Sequence, residues 1–200
     1  RLDGWTTEDL AIKRSLGVYV SWPLMHPVSA RWSRRSRTDQ SGRTEESLKA
    51  IDDYFDEAEA WVAAREADPT VPFNARFNAL APVLAGESPV FIDASRASQI
   101  EAALAWAKRR GLRPIIVGGS AAGSCAELLA EQDVTVMLRG IHRLPMNRHD
   151  PHDAAFTTAE QLRAAGVLYS IGNDGSDPAH ERNLPHHAAT AAAYGLPKGA

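Results

Sequence analysis

The chain has 200 residues, a formal net charge of −3 and 44% hydrophobic residues, which are ordinary values for one globular domain. This charge balance does not favour nucleic acid or an anionic membrane surface as a partner, and no apolar run approaches the ~20 residues that cross a bilayer. Because Cys125 is the single cysteine, the chain cannot form an internal disulfide or a cysteine-based zinc site.

Residues 1–87 are predicted to be rich in helix and to contain one short strand. Apolar residues recur every three or four positions in the predicted helices and alternate in the strand. Threonine or asparagine caps begin two of the helices, and glycine ends two of them. Residues 23–43, with their prolines and clustered arginines, are predicted to form a loop. The predicted elements are a helix over 6–16, a strand over 18–22, a helix over 44–67 and a helix over 74–86.

From residue 88 to residue 200, strand and helix are predicted to alternate four times. The strands are short and apolar on both faces, as in a parallel sheet that is covered on both sides. This alternation is typical of right-handed βαβ units, and four such units fit either half of a barrel or most of a doubly wound sheet. The predicted strands cover 90–92, 115–117, 134–138 and 167–171, and the helices cover 96–110, 121–129, 157–165 and 186–194.

Ligands bind at the carboxyl ends of the strands in parallel α/β folds, so the residues that follow the strands are the candidates for a site. Asp174 follows the last strand in a polar loop, where its carboxylate could bind a divalent metal or accept a proton from metal-bound water. An Asx-turn explains the same Asn-Asp-Gly sequence and is favoured by spacing alone. Asp93 ends an earlier strand and is equally well placed to cap the next helix.

Other features have weaker signals. The Gly118-Gly119-Ser120 turn could hold an anion, but it lacks a dinucleotide fingerprint and a P-loop lysine, which favours a tight turn. The arginines over 31–37 could clamp an anionic group, although a solvated loop explains them as well. None of the seven histidines forms an H-x-H or H-E-x-x-H motif. The histidines on predicted catalytic-side loops are His142, His149, His152 and His180, and His186 and His187 begin the last helix, with one of them expected to face the site.

Segments over nearly the whole chain carry a family resemblance, and the most specific are Asn183-Leu-Pro and Tyr194-Gly-Leu-Pro. They resemble the imidazolonepropionase-like branch of the amidohydrolase superfamily. The segments are Asp3–Thr6, Gly17–Pro23, Pro89–Ala94, Gly111–Gly119, Val134–Leu138, Asp150–Phe156, Ala165–Val167, Arg182–Ala189 and Ala193–Pro197.

The resemblance implies an α/β fold that is part of a (β/α)₈ TIM-type barrel, about its C-terminal half, truncated at both ends and forming a single partial domain over residues 1–200. It implies a divalent metal, zinc above others, that activates a water molecule. By this resemblance Asp174 is the catalytic aspartate and a metal ligand. Asp93 stands at a histidine position of the fifth barrel strand and is the second expected metal ligand, whereas Gly118 stands at the sixth-strand histidine position.

The expected function is that of an amidohydrolase-type hydrolase that acts on a non-peptide C–N bond of a small molecule, with Asn173, His142 and His180 binding the substrate. A catalytically degenerate barrel that binds a ligand or acts as a scaffold is the alternative, which the replaced histidines favour. An unrelated open α/β domain with an anion at residues 118–120 is a third. The expected partner is a small-molecule substrate, without nucleic acid or membrane; homo-oligomerisation and the cellular compartment are left open.

Overall fold

The computed structural model describes residues 6, 11, 15–28, 36–148, 150–173 and 178–198, with the side chains of residues 178–180 left aside. Within these residues strands and helices alternate along the chain, and 3₁₀ helices cover Ala122–Cys125 and Pro178–Asn183. The elements are β1 (Val18–Ser21), α1 (Arg37–Ala67), α2 (Ala75–Leu84), β2 (Val90–Ala94), α3 (Ala97–Arg109), β3 (Pro114–Gly118), α4 (Ala126–Glu131), β4 (Thr135–Arg139), α5 (Ala154–Ala164), β5 (Tyr169–Gly172) and α6 (Leu184–Ala193).

The described strands form one sheet in which all neighbours are parallel and the spatial order, β1-β2-β3-β4-β5, is the order along the chain. A doubly wound sheet reverses its strand order at a switch point, and this sheet does not. Sequential order with right-handed crossovers places the helices on one face, as in the wall of a (β/α)₈ barrel. The predicted α/β fold is confirmed, and the strand order is that of a barrel segment.

The two faces of the sheet are covered differently. Side chains alternate between the faces along each strand, and one alternating set is buried beneath the helices. On the opposite face, Tyr19 is 54% exposed and Met137 is 39% exposed, so this second face is the inner wall of the barrel segment. The buried set consists of Val20, Val90, Ile92, Ala94, Ile116, Val136 and Leu138.

Trp106 and Arg110 hold α3 against α1. The Trp106 side chain is buried, with its ring centroid 5.0 Å from that of Phe55 and 5.4 Å from that of Trp22. Its Nε1 donates a hydrogen bond to Asp52 Oδ1 at 2.8 Å, and Arg110 Nη2 lies 2.9 Å from the same oxygen. Because Phe55 and Asp52 belong to α1, these contacts join the long N-terminal helix to the first βα unit.

The helix α1 begins earlier than the sequence pattern predicts. Its N-cap is Ser36, whose side chain accepts a hydrogen bond from Asp39 N while the Asp39 carboxylate accepts one from Ser36 N. This capping box satisfies two free N–H groups, so the helix continues through Gly42, and the predicted loop over 23–43 was wrong from Arg37 onward. Although α1 has 31 residues, neither it nor any other described helix is apolar enough over sufficient length to cross a membrane.

Candidate functional site

Three polar side chains converge on the inner wall near the carboxyl ends of the strands. Tyr19 OH donates a hydrogen bond to Asp93 Oδ2 at 2.8 Å, and Arg139 Nη2 donates to the same oxygen at 3.1 Å. Arg139 Nη2 also donates to the phenolic oxygen of Tyr19 at 2.6 Å. Tyr19 lies on β1, Asp93 on β2 and Arg139 on β4. In a flat sheet, β1 and β4 would lie about 14 Å apart. The cluster therefore spans the inner wall from β1 to β4.

The cluster holds a charged guanidinium beside a neutral phenol. Burial acts to lower the pKa of Arg139, but the negative charge of Asp93 and the contact with Tyr19 outweigh it, so this pKa lies above its ordinary value. Burial, followed by the hydrogen bond to Asp93 and its charge, raises the pKa of Tyr19. Near neutral pH, Arg139 is therefore a cation and Tyr19 a hydrogen-bond donor.

The described residues around Asp93 do not fit a divalent metal ion. A guanidinium lies 3.1 Å from Asp93 Oδ2, and a metal on this carboxylate would be repelled by it. On the other side, a Cβ at Gly118 would lie 3.3 Å from Asp93 Oδ1 and 2.6 Å from Ser95 Oγ. A histidine at position 118 would thus need its surroundings to move. In the described ranges, no group of three or more His, Cys, Asp or Glu residues could hold a metal.

His142 and His187 form a stacked pair beside the carboxyl end of β4. Their ring centroids are 4.2 Å apart, and His187 Nδ1 accepts a hydrogen bond from Ile141 N at 3.0 Å. The neutral His187 ring therefore carries its proton on Nε2. A metal-bound histidine instead donates from its second ring nitrogen, so this geometry gives His187 a structural role. His142, by contrast, is exposed, with Nε2 2.7 Å from Thr190 Oγ1.

His187 should make the stability of the protein depend on pH. Burial, then the charges of His142 and His186, lower its pKa below 6.5, so the unfolded chain binds more protons than the folded one between the two pKa values. The free energy of unfolding should therefore rise with pH until about 6.5 and stay level above it, as far as this group contributes. The free energy of unfolding, measured with urea between about pH 5 and pH 8, should therefore have a smaller slope against pH in His187→Gln than in the unaltered protein.

The matched control for this prediction is His152→Gln, because His152 is an exposed histidine that is not among the groups lowering the pKa of His187. This variant should keep the slope of the unaltered protein. An equal slope in His187→Gln and the unaltered protein would contradict the assignment of the pH dependence to His187.

The other predicted site residues are Asn173, His180 and Asp174. Asn173 follows β5 directly and is partly buried, and its neighbour Gly172 pairs with Arg139 across the β4–β5 ladder. His180 lies in the 3₁₀ helix Pro178–Asn183, and its side chain is outside the described set. Asp174, the predicted catalytic aspartate, lies outside the described residues.

A cavity of about 650 Å³ lies beside the cluster's end of the sheet, among the segments that follow β1, β2, β3 and β4. Its size suits a small-molecule ligand. Two arginines, Arg96 and Arg143, and two aspartates, Asp150 and Asp153, line it. The formal charges of these four side chains, which belong to the described part of the chain, cancel.

The turn after β3 has the geometry of a tight connection. Gly118 and Gly119 have φ values of +97° and +58°, a region that favours glycine. A Cβ at Gly119 would lie 2.8 Å from Val136 Cγ1, and the carbonyl of Ser120 accepts a hydrogen bond from Arg143 Nη2 at 2.7 Å. These glycines are therefore explained by the turn, as the sequence favours.

Sequence reasoning did not select Tyr19 or Arg139 as site residues, and it expected only that one of His186 and His187 would face the site. A signal existed for Arg139, a charged residue at the carboxyl end of an apolar strand, and for Tyr19, which shares an alternating face with Ser21. The signal for His187 was only its place near a helix start. The sequence pattern did not indicate that Tyr19 and Arg139 both contact Asp93 across the sheet.

The solved structure of an amidohydrolase from Thermotoga maritima MSB8 is similar to this chain, with a TM-score of 0.73 at 19% sequence identity. The match covers 98% of this chain and 51% of the other, so this chain spans about half the length of that structure. No protein-family model matches the sequence, and no curated protein matches it. The chain thus has the fold of about half of that structure, and its parallel sheet agrees with the predicted part of a TIM-type barrel.

Proposed function

We propose that this chain forms about half of the barrel of an amidohydrolase-type hydrolase that acts on a non-peptide C–N bond of a small molecule. The observation that carries the proposal is the convergence of Tyr19, Asp93 and Arg139 on the inner wall near the carboxyl ends of the strands, where ligands bind in this class of fold. The amidohydrolase-like fold supports the choice of reaction by analogy.

In the proposed reaction, a water molecule attacks the carbon of the C–N bond. Asp174 accepts a proton from that water and returns it to the leaving nitrogen as the C–N bond breaks. Asn173, His142 and His180 bind the substrate. Asn173 comes one residue after Gly172, which pairs with Arg139 in the sheet. This supports placing Asn173 at the mouth, the end of the barrel segment formed by the carboxyl ends of the strands.

Zinc on Asp93 and Asp174 is what the family resemblance implies. The contacts of Asp93 with Arg139 and Tyr19 do not fit that arrangement, so no step of the proposed reaction passes through a metal. The proton transfer assigned to Asp174 needs only a carboxylate in reach of the water.

Asp174→Asn provides the test of the proposal. The purified protein should hydrolyse at least one member of a panel of cyclic amides, and Asp174→Asn should lower kcat by about 100-fold or more, the range expected for loss of a general base. Asp53→Asn is the matched control, because Asp53 is exposed on α1 and pairs with Lys49; its kcat should be unchanged. Hydrolysis that survives in Asp174→Asn at the rate of the control would exclude the assigned base.

A ligand-binding barrel without hydrolysis is the second candidate. Two positions at which the family resemblance expects metal-binding histidines favour it. One holds Asp93, which is paired with Arg139, and the other holds Gly118. In this case members of the same amide panel should bind, as measured by calorimetry, and be recovered unchanged after incubation with the protein. Opening of the ring of any bound amide, to a product that carries a carboxylate and an amine, would exclude this candidate.

A further inference from the structure

The guanidinium of Arg139 has hydrogen-bond donors that the described residues leave unused. Its Nη2 donates to Tyr19 and Asp93, whereas its Nε and Nη1 make no hydrogen bond within the described part of the chain. A guanidinium carries five N–H donors and no acceptor. Because the Arg139 side chain is 36% exposed, a ligand can approach it.

Two acceptors from other strands hold this guanidinium in place. Asp93 lies on β2 and Tyr19 on β1, whereas Arg139 is the last residue of β4. A long side chain normally loses rotamer freedom when it binds a ligand. Here the contacts within the protein have already restricted it, so the free N–H groups are positioned before a ligand arrives.

The part of the wall that lies between Asp93 and Arg139 is apolar. In the sheet register Asp93 pairs with Val117, which pairs with Met137, and Met137 is two residues before Arg139 on the same face. Phe91 precedes Asp93 by two residues in the same way. Hydrogen bonds from a cation are stronger in such surroundings than in open water.

We propose that Arg139 is the cation of this mouth in place of a metal ion, and that its free N–H groups bind an sp² oxygen of the ligand, in a carbonyl or a carboxylate group. This inference rests on the same mouth as the proposed function and adds the chemical group that is recognised there. In hydrolysis these donors meet the negative charge that develops on the carbonyl oxygen when water attacks.

The binding arm of the test uses nuclear magnetic resonance of the ¹⁵N-labelled protein. The Arg139 Nε–H signal is assigned as the one missing in Arg139→Lys, and sodium acetate and acetamide are titrated as carboxylate and carbonyl probes. The signal should shift saturably with at least one probe, and which probe binds distinguishes the two groups. If neither probe shifts the Arg139 signal at concentrations up to about 100 mM, which saturate even a site with a Kd of about 1 mM, the proposal is overturned.

Variants separate a ligand contact from a general effect of charge. Binding in the variants is followed by the backbone amide signal of Gly140, the residue after Arg139. Arg139→Met and Arg139→Gln should each weaken binding of the probe at least about tenfold, as loss of a charged hydrogen bond implies. Arg163→Met, on the outer helix α5 where Arg163 pairs with Glu160, should bind the probe as the unaltered protein does. Equal affinity in either folded Arg139 variant would also overturn the proposal.

Zinc provides the second arm. After incubation with zinc and gel filtration, Asp93→Asn should contain as much zinc by elemental analysis as the unaltered protein. Stoichiometric zinc that is lost in Asp93→Asn would make Asp93 a metal ligand and overturn the proposal. Because neither arm measures turnover, an inactive protein whose Arg139 signal still shifts with the probe would refute the proposed hydrolysis alone.

Discussion

Replacing Trp106 with alanine should lower the free energy of unfolding by about 3–5 kcal/mol, the cost of truncating a fully buried Trp. The Trp106 side chain is 2% exposed and fills the space between α1, α3 and the segment after β1. Its loss removes the ring contacts with Phe55 and Trp22 and leaves Asp52 Oδ1 without the Nε1 donor. Urea unfolding followed by circular dichroism measures the change.

Two further variants separate the contributions to this loss. Trp106→Phe keeps an aromatic ring and removes the hydrogen bond to Asp52, so it should lose less than Trp106→Ala. Trp61→Ala removes a tryptophan from the more exposed side of α1, where it contacts Phe73 and Phe77, and should also cost less. A loss below about 1 kcal/mol in Trp106→Ala would contradict a close-packed joint between α1 and α3.

Gly118→His, which introduces the histidine that the family resemblance expects, should destabilise the protein by about 2–5 kcal/mol. Part of the cost is the positive φ of +97°, which disfavours any residue with a Cβ by about 1–2 kcal/mol. The rest is overpacking, about 1–3 kcal/mol, because the Cβ would lie 2.6 Å from Ser95 Oγ. The variant should also fail to bind zinc at Asp93, which remains paired with Arg139.

Gly111→His isolates the backbone contribution. Gly111 has a similar φ of +66°, and a Cβ at that position meets no atom within 4 Å. This control should lose only about 1–2 kcal/mol. If the two variants unfold at the same urea concentration, or if Gly118→His gains stoichiometric zinc, the space around Gly118 is not closed in the way that the contacts indicate.

Local sequence signals predicted most of the helices and strands well. All four predicted strands from residue 88 onward exist, within two residues at each end. Asn74 caps α2 by accepting hydrogen bonds from Arg76 N and Phe77 N, as its position before an apolar run predicts. The predicted start of α1 was wrong because Gly42 and the arginines before it are typical of a loop. The helix begins at Arg37 because Ser36 and Asp39 form a capping box.

The candidate site was predicted by location and only partly by residue. The rule that ligands bind at the carboxyl ends of strands selected Asp93, which does join a polar cluster. It did not predict the pairing of Asp93 with Arg139 and Tyr19. The role of Asp174 stays a prediction, since that residue lies outside the described part of the chain.

The sequence by itself determined the alternation of strands and helices and the parallel sheet, because apolar periodicity and capping act between residues that are close along the chain. Only the tertiary structure decided between a barrel segment and a doubly wound sheet, since strand order depends on how the units pack. It alone joined Arg139 to Asp93, 46 positions away, and Tyr19 to Asp93, 74 positions away. Such pairs form because the strands lie side by side and their side chains project from the same face of the sheet. No local sequence pattern indicates which long side chains then meet.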